Sequence, residues 1–262
     1  MLRTVNRFIG DLKKYKEYII YSTKSDLKRQ VAGTLFGYLW WLLDPLLHMF
    51  VYTILVTIIF RRDQPAFPLF VFCALLSWKW LTSSLGSSTT CIKRKAGIIR
   101  QIYLPKFVLP LIDVATNFVK FLFGIIILLM MMGIYRITPT WHMLEIVPIL
   151  IVNFLFIYGI SLNFAHVGAL YSDFKNVISH MLRLWFYVSP GIYSLSRIPE
   201  KYRWVWKLNP ITSFFESYRN VFMYGAPPMY KELAVWSVVS IIILFAGIHK
   251  IYKFDKNYAK VV

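Results

Sequence analysis

Five ionisable side chains fall inside apolar stretches of this 262-residue chain: Asp44, Lys79, Asp113, Lys120 and Arg183. At the centre of a bilayer such a group costs about 2.5–3.5 kcal/mol on insertion scales, so it usually faces a bundle interior or water. Neighbours extend these residues into polar faces. Asp44 and His48 stand four apart on one helical face, which Trp41 and Tyr52 continue. Asp113, Asn117 and Lys120 follow at i, i+4 and i+7, and His180, Arg183 and Tyr187 repeat the spacing. Three helices therefore each carry a wet or paired face, and a lumen between them accommodates all three. The alternative is a set of intramembrane salt bridges, Asp44 or Asp113 with Lys79 or Lys120, that only lock the helices together. Asp113 and Arg183 each sit seven positions into their apolar runs, where a side chain reaches the headgroups cheaply.

Other chemistry is sparse. No G-x-x-x-x-G-K-[ST] occurs, so no Walker-type loop cradles a nucleotide. The five histidines (48, 142, 166, 180 and 249) form no H-E-x-x-H and no close metal pair. His142 and Glu145, at i and i+3, could be read as acid–base partners, or as the solvated start of a helix. Ser189-Pro190-Gly191 breaks a helix rather than activating a nucleophile. Cys73 and Cys91 lack paired spacing and read as small apolar side chains, not as a scaffold or zinc site. The chain carries no catalytic or metal site of its own.

The elements that must position these residues follow from composition. Hydrophobic residues make up 58%, charged residues 16% and aromatics 18%, with a formal net charge of +18 and a mean hydropathy of +0.55. Soluble domains carry about 45–50% apolar and about 25% charged residues, so an ordinary cytosolic enzyme is excluded. A basic surplus in so apolar a chain belongs to loops facing an anionic leaflet rather than to nucleic acid. A spanning helix needs about 20 apolar residues, and six segments qualify: 35–60, 67–90, 107–134, 146–170, 177–195 and 233–248. The first 30 residues are studded with Lys and Arg and do not read as a secretory signal. With both ends of the chain inside, the inner segments 1–36, 91–106, 171–176 and 249–262 hold eighteen Lys and Arg over 72 positions, against nine over 54 outside. The positive-inside rule favours that orientation.

Three segments remain between the spans. Residues 1–34 place Leu2, Val5, Phe8, Ile9, Leu12, Tyr15 and Ile19 opposite Arg3, Arg7, Lys13, Lys14 and Lys16, the pattern of a basic amphipathic helix on the inner leaflet. Residues 91–104 read as a short inner helix stopped by Gly97, with an amphipathic turn over 98–103 before Pro105. Residues 196–232 are too aromatic for a solvated loop and are expected to dip back into the outer interface as short helices, punctuated by Pro210, Gly225, Pro227 and Pro228. The expected fold is all-α and integral to the membrane: six transmembrane helices (35–262), an N-terminal amphipathic interface helix (1–34), a cytoplasmic coupling helix and an outer re-entrant hairpin.

The residues in hand bring a family into view. Gly37-Tyr-Leu-Trp-Trp-Leu-Leu-Asp44-Pro45 opens the first span. Arg100-Gln-Ile-Tyr-Leu-Pro-Lys-Phe-Val-Leu-Pro110 precedes the third, and Tyr171-Ser-Asp173-Phe-Lys makes an inner turn. Phe186-Tyr-Val-Ser-Pro-Gly191, then Asn209-Pro210 and Phe215-Glu-Ser-Tyr-Arg219, follow in order. Over nearly its whole length the chain resembles the permease subunits of ABC-2-type exporters of cell-surface polysaccharides (teichoic acid, O-antigen or capsule). It departs at Ser172, where the family usually has Arg. The Glu-Ser-Tyr-Arg run leans towards wall teichoic acid.

The resemblance implies two copies forming a channel in a bacterial cytoplasmic membrane, each bound to a separate ATPase subunit that carries ATP and Mg. This chain then needs no cofactor. The implied substrate is a polyprenyl-pyrophosphate-linked polymer moved from inner to outer leaflet. Arg94, Gly97, Ile98, Arg100, Tyr103 and Asp173 are the expected coupling interface. From helix faces rather than from any motif, Trp41, Asp44, His48, Tyr52, Lys79, Lys120, Arg183, Phe186, Tyr187 and Arg219 are candidates for the translocation path. The competing readings are a membrane-embedded transferase using His142/Glu145 or Asp44/His48 on a lipid-linked sugar, and an exporter of a small drug or haem. The long outer segment 196–232 counts against the last.

Overall fold

In the computed structural model, which describes residues 2–61 and 65–261, all regular structure among the described residues is helical. The N-terminal segment is two helices, not the one expected. Helix α1 (Leu2–Lys14) carries Lys13 and Lys14 in its last turn, where cations favour the helix dipole. The chain bends at Tyr15 into α2 (Lys16–Val31). Helix α1 sets Phe8 against Phe107, ring centroids 4.8 Å apart, while α2 packs along α7 (Val108–Ile134).

The first span opens at Gly37, whose φ of +52° suits a residue without a Cβ. A 3₁₀ turn (Gly37–Leu39) leads into α3 (Trp40–Thr53), which runs on as a π-helix (Ile54–Ile59). Pro45 inside α3 removes one backbone donor and favours a kink there. Helix α4 (Phe67–Ser88) is the hub: 78% of its most apolar stretch is buried, against 11% for the first span, so α3 lies at the periphery of the bundle. After α7 comes α8 (Ile146–Leu170), then α9 (Phe174–Val188). Two short helices, α10 (Glu200–Lys207) and α11 (Pro210–Arg219), lead to a π turn (Asn220–Tyr224) and the last helix, α12 (Tyr230–Val261).

Five helical segments are long and apolar enough to cross a membrane: Gly37–Ile59, Phe67–Ser88, Val108–Ile134, Trp141–Leu170 and Tyr230–Asp255. The sequence places a further span at 177–195, and here the structure differs. Helix α9 has fifteen residues, about 22 Å at 1.5 Å per residue, short of the roughly 30 Å of hydrocarbon. The chain therefore returns from Ser172 at one end to Gly225 at the other through α9 and the broken segment after it rather than through one continuous helix. Helix α9 ends where Pro190 forbids continuation. Ser189 Oγ there accepts from Asn209 Nδ2 at 2.8 Å, and the Asn209 carboxamide oxygen accepts from Ile211 N at 3.1 Å and Trp185 Nε1 at 3.0 Å. Asn209 thus caps α11 and staples it to the break. Helix α11 is almost wholly buried and lies against α4, while the aromatic face of α10, with Tyr202 and Trp204, is exposed. The helix over the expected span 233–248 is longer, running from Tyr230 to Val261 through charged residues at both of its ends.

The connections separate into two ends. Arg7 on α1 donates to Tyr103 Oη at 3.0 Å, Tyr252 on α12 donates to Asp11 at 2.8 Å, and Lys93 donates to Ser172 Oγ at 2.8 Å. The segments expected inside thus converge on one end of the bundle. At the other, Gly225 (φ +56°) brings its backbone against Thr140, joining the 135–145 connection to the start of α12.

Candidate functional site

A groove of about 420 Å³ lies between α3, α4 and α9. Two of its helices, α3 and α9, contribute faces anticipated from spacing; α4 takes the place expected for the stripe on α7, which lines the other chamber. His48 and Tyr52 come from α3, Trp78 and Lys79 from α4, and Arg183, Phe186 and Tyr187 from α9. Aromatic rings make its floor: Phe186 is buried beneath Tyr52 (centroids 5.5 Å) and Trp78 (5.4 Å). Arg183 and Tyr187 are exposed. Such a surface offers flat apolar faces with cations at its margin, which suits a polymer of sugar rings bearing anionic groups.

A smaller chamber of about 200 Å³ lies on the other side of α3, between α3, α4 and α7, lined by Trp41, Asp44, Lys79, Asn117 and Lys120 among others. Lys79 borders both chambers. It is paired: Nζ lies 2.8 Å from Asp44 Oδ2, and the other carboxylate oxygen is 3.5 Å from His48 Nδ1. The salt-bridge alternative therefore describes Asp44 and Lys79, and Lys79 is a matched cation. His48 Nδ1 also lies 2.8 Å from the Asp44 carbonyl, which fixes its ring. Lys120 stands apart, donating to Asn117 Oδ1 at 3.2 Å. The stripe expected on α7 divides here, because Asp113 turns to the end of the bundle that holds the 91–104 segment and accepts from Arg94 at 2.6 Å. Asp113 thus joins α7 to the 91–104 segment and pairs with neither Lys79 nor Lys120.

Arg219 is placed differently from the expected path. Its side chain has 0% exposure, and its fork donates to Pro190 O and Gly191 O, each at 2.7 Å, and to Glu216 Oε1 at 2.8 Å. The guanidinium stacks 3.4 Å over the Phe70 ring. Planar, multiply bonded and stacked, it uses the geometry that distinguishes Arg from Lys to tie α11, the broken end of α9 and α4 together. It lines neither chamber. Sequence alone could not separate a buried arginine from a lumenal one.

The 91–104 segment is two short helices, α5 (Cys91–Arg94) and α6 (Ala96–Gln101), separated at Lys95. Gly97, expected to stop a helix, lies inside α6. The segment's basic residues are tied to four different elements. Lys93 meets Ser172 before α9 and Arg94 meets Asp113 on α7; Lys95 approaches Asp26 on α2 (3.6 Å), and Lys106 approaches Asp255 on α12 (3.2 Å). Tyr103 Oη bridges two helices, accepting from Arg7 and donating to Asp255 at 2.9 Å. Partial desolvation, with that bond to Asp255, pushes its phenol above the ordinary value. Ile98 is half-buried beside a buried Ile99, and Arg100 and Asp173 face outward. Asp26, Lys106, Asp255 and Arg7 were missed from sequence. The signal was there in retrospect: Asp26 and Asp255 are isolated acids within strongly basic segments.

His142 Nδ1 lies 3.1 Å from Glu145 Oε2 at the opposite end. Neither residue lines the two chambers. Among the described residues, no group of three His, Cys, Asp or Glu could hold a metal. Both cysteines are free and buried.

Comparison with known proteins agrees with this architecture. The ABC-2 type transporter family matches residues 18–223. An O-antigen export system permease protein, RfbA, from Myxococcus xanthus is 30% identical over 92% of this chain and 94% of its own. A protein of the same name from Klebsiella pneumoniae is 28% identical over 94% and 95%. The polysialic acid transport protein KpsM of Escherichia coli is 23% identical over 81% and 83%. Five membrane-length helices, a broken α9 pinned by Arg219 and an inner segment knitted to four elements thus accompany a match across most of the sequence: the chain belongs to the ABC-2 type transporter family.

Proposed function

We propose that this chain is the translocating subunit of an ATP-driven exporter of a cell-surface polysaccharide carried on a polyprenyl pyrophosphate. Two copies would face each other across the α3–α4–α9 groove, in a bacterial cytoplasmic membrane with both ends of the chain inside. The single observation that carries this is the groove, on which three helices each converge with aromatic and cationic side chains. The names of the relatives, O-antigen and polysialic acid, favour an O-antigen- or capsule-type polymer over the teichoic acid suggested by Glu216–Arg219.

ATP and Mg belong to a separate ATPase subunit, which would dock where α1, α5, α6 and the turn at Asp173 gather. The docking logic is mechanical. A push on α5 and α6 pulls through Arg94 on α7, through Lys95 on α2 and through Lys106 and Tyr103 on α12. The Lys106–Asp255 and Lys95–Asp26 pairs are largely buried, and removing one partner of a buried pair costs about 3–5 kcal/mol. The segment therefore moves with its neighbours rather than sliding past them.

The test is reconstitution with the ATPase subunit in vesicles. The complex should hydrolyse ATP and move lipid-linked polysaccharide across the bilayer, and the chain alone should hydrolyse none. Hydrolysis by the purified chain, or modification of a lipid-linked sugar in detergent without any ATPase, would overturn the reading and favour the transferase.

A further inference from the structure

A cleft of about 430 Å³ opens between α2, the start of α3 and α7, with Lys24 and Lys28 on one side and Tyr38, Trp41 and Phe123 on the other. Trp41 also walls the smaller chamber that holds Lys120. Its ring stands edge-on to Tyr38 (4.9 Å) and Phe123 (5.4 Å), so one side chain separates the two spaces. Net charge in both is positive. Lys79 is matched by Asp44, but among the described residues no carboxylate lies within 4 Å of Lys24, Lys28 or Lys120. An ammonium has three protons to donate, and Lys120, only partly exposed, meets the one acceptor on Asn117. An ammonium left so far from water wants an anion.

Depth gives the class of anion. Lys120 is the thirteenth residue of α7, about 18 Å along it, and Val119 and Phe123 on either side of it line the same cleft as Lys24 and Lys28. The three cations thus gather at a similar depth, well along a membrane-length helix and beside an aromatic wall. A soluble anion gains nothing from that wall; a phosphate carried on hydrocarbon uses both.

We propose that the cleft between α2, α3 and α7, with the chamber behind Trp41, binds the phosphate headgroup of a lipid drawn from the inner leaflet. Lys24 and Lys28 receive it, Trp41 admits it, and Lys120 holds it on the far side of α3 from the groove. The proposal rests on the functional reading above for which leaflet is the inner one.

The experiment uses the full permease–ATPase complex in phosphatidylcholine nanodiscs doped with phosphatidylglycerol or with undecaprenyl diphosphate, and counts retained lipid by native mass spectrometry. Wild type should retain anionic lipid from at least one dopant. Lys120→Met and the exposed pair Lys24→Ala/Lys28→Ala should each weaken retention about tenfold, or 1.4 kcal/mol, and Lys120→Arg should keep it. Preference for the diphosphate identifies the carrier lipid as the source; preference for phosphatidylglycerol identifies a resident phospholipid, and either supports the site. No retention, or equal retention by wild type and both neutral variants, overturns it. Export by wild-type complex in vesicles, measured in parallel, separates the two failures: intact export with unchanged retention sinks only the lipid site, and absent export sinks the functional reading.

Discussion

Replacing Arg219 with Met distinguishes a structural pin from a path residue. The substitution preserves length and apolar bulk but removes every bond of the fork. Glu216 keeps only 15% side-chain exposure, so losing its cation strands a largely buried carboxylate, at a cost of about 3–5 kcal/mol. The Pro190 and Gly191 carbonyls lose their donors, adding about 1–3 kcal/mol each where water does not reach them. The Arg219→Lys variant keeps the charge without the planar fork and should fall between. The double variant Arg219→Met/Glu216→Gln removes the stranded charge and should recover part of the loss, since contacting residues are not additive. Thermal unfolding of the purified protein in detergent reads these changes. An Arg219→Met protein that unfolds like wild type yet fails in export would refute the pin and return Arg219 to the path.

Two further outcomes follow from individual contacts. Tyr103→Phe deletes the hydroxyl joining Arg7 to Asp255 and should cost about 0.5–1.5 kcal/mol at that junction, lowering polymer exported per ATP hydrolysed in vesicles; an unchanged ratio would remove Tyr103 from coupling. Gly168→Ala drives a methyl into the Thr89 backbone carbonyl and should destabilise by about 1–3 kcal/mol, whereas Gly133→Ala, with open space around it, should melt at or above wild type.

The fold class and the polar faces of α3 and α9 were legible in sequence because hydrophobic length and helical spacing are local properties; that α4 rather than α7 lies between them was not. Asp44 and His48, or Arg183 and Tyr187, announce a shared face whatever packs against it. The boundaries that shifted did so through contacts sequence does not display. Pro190, visible in sequence, stops α9 at Val188, but the bond by which Asn209 holds the break at Ser189 comes from twenty residues further along the chain. Asp113 left the Lys120 stripe because Arg94 reaches it first, and Lys106 and Asp255 meet across 149 positions of chain. Arg219 illustrates the limit most plainly. A guanidinium beside aromatic residues looks the same in sequence whether it faces a lumen or stacks on Phe70. The N-terminal helix read as one element because its basic pattern runs through Tyr15, where the backbone turns.

The central claim is that polymer passes along α3, α4 and α9. A photo-crosslinking residue at position 187, whose side chain lies exposed at the groove, should capture radiolabelled polysaccharide only when ATP and the ATPase subunit are present. The same residue at position 126, exposed on α7 and outside both chambers, should capture lipid alone. Polymer captured at 126 and absent at 187 would contradict the account.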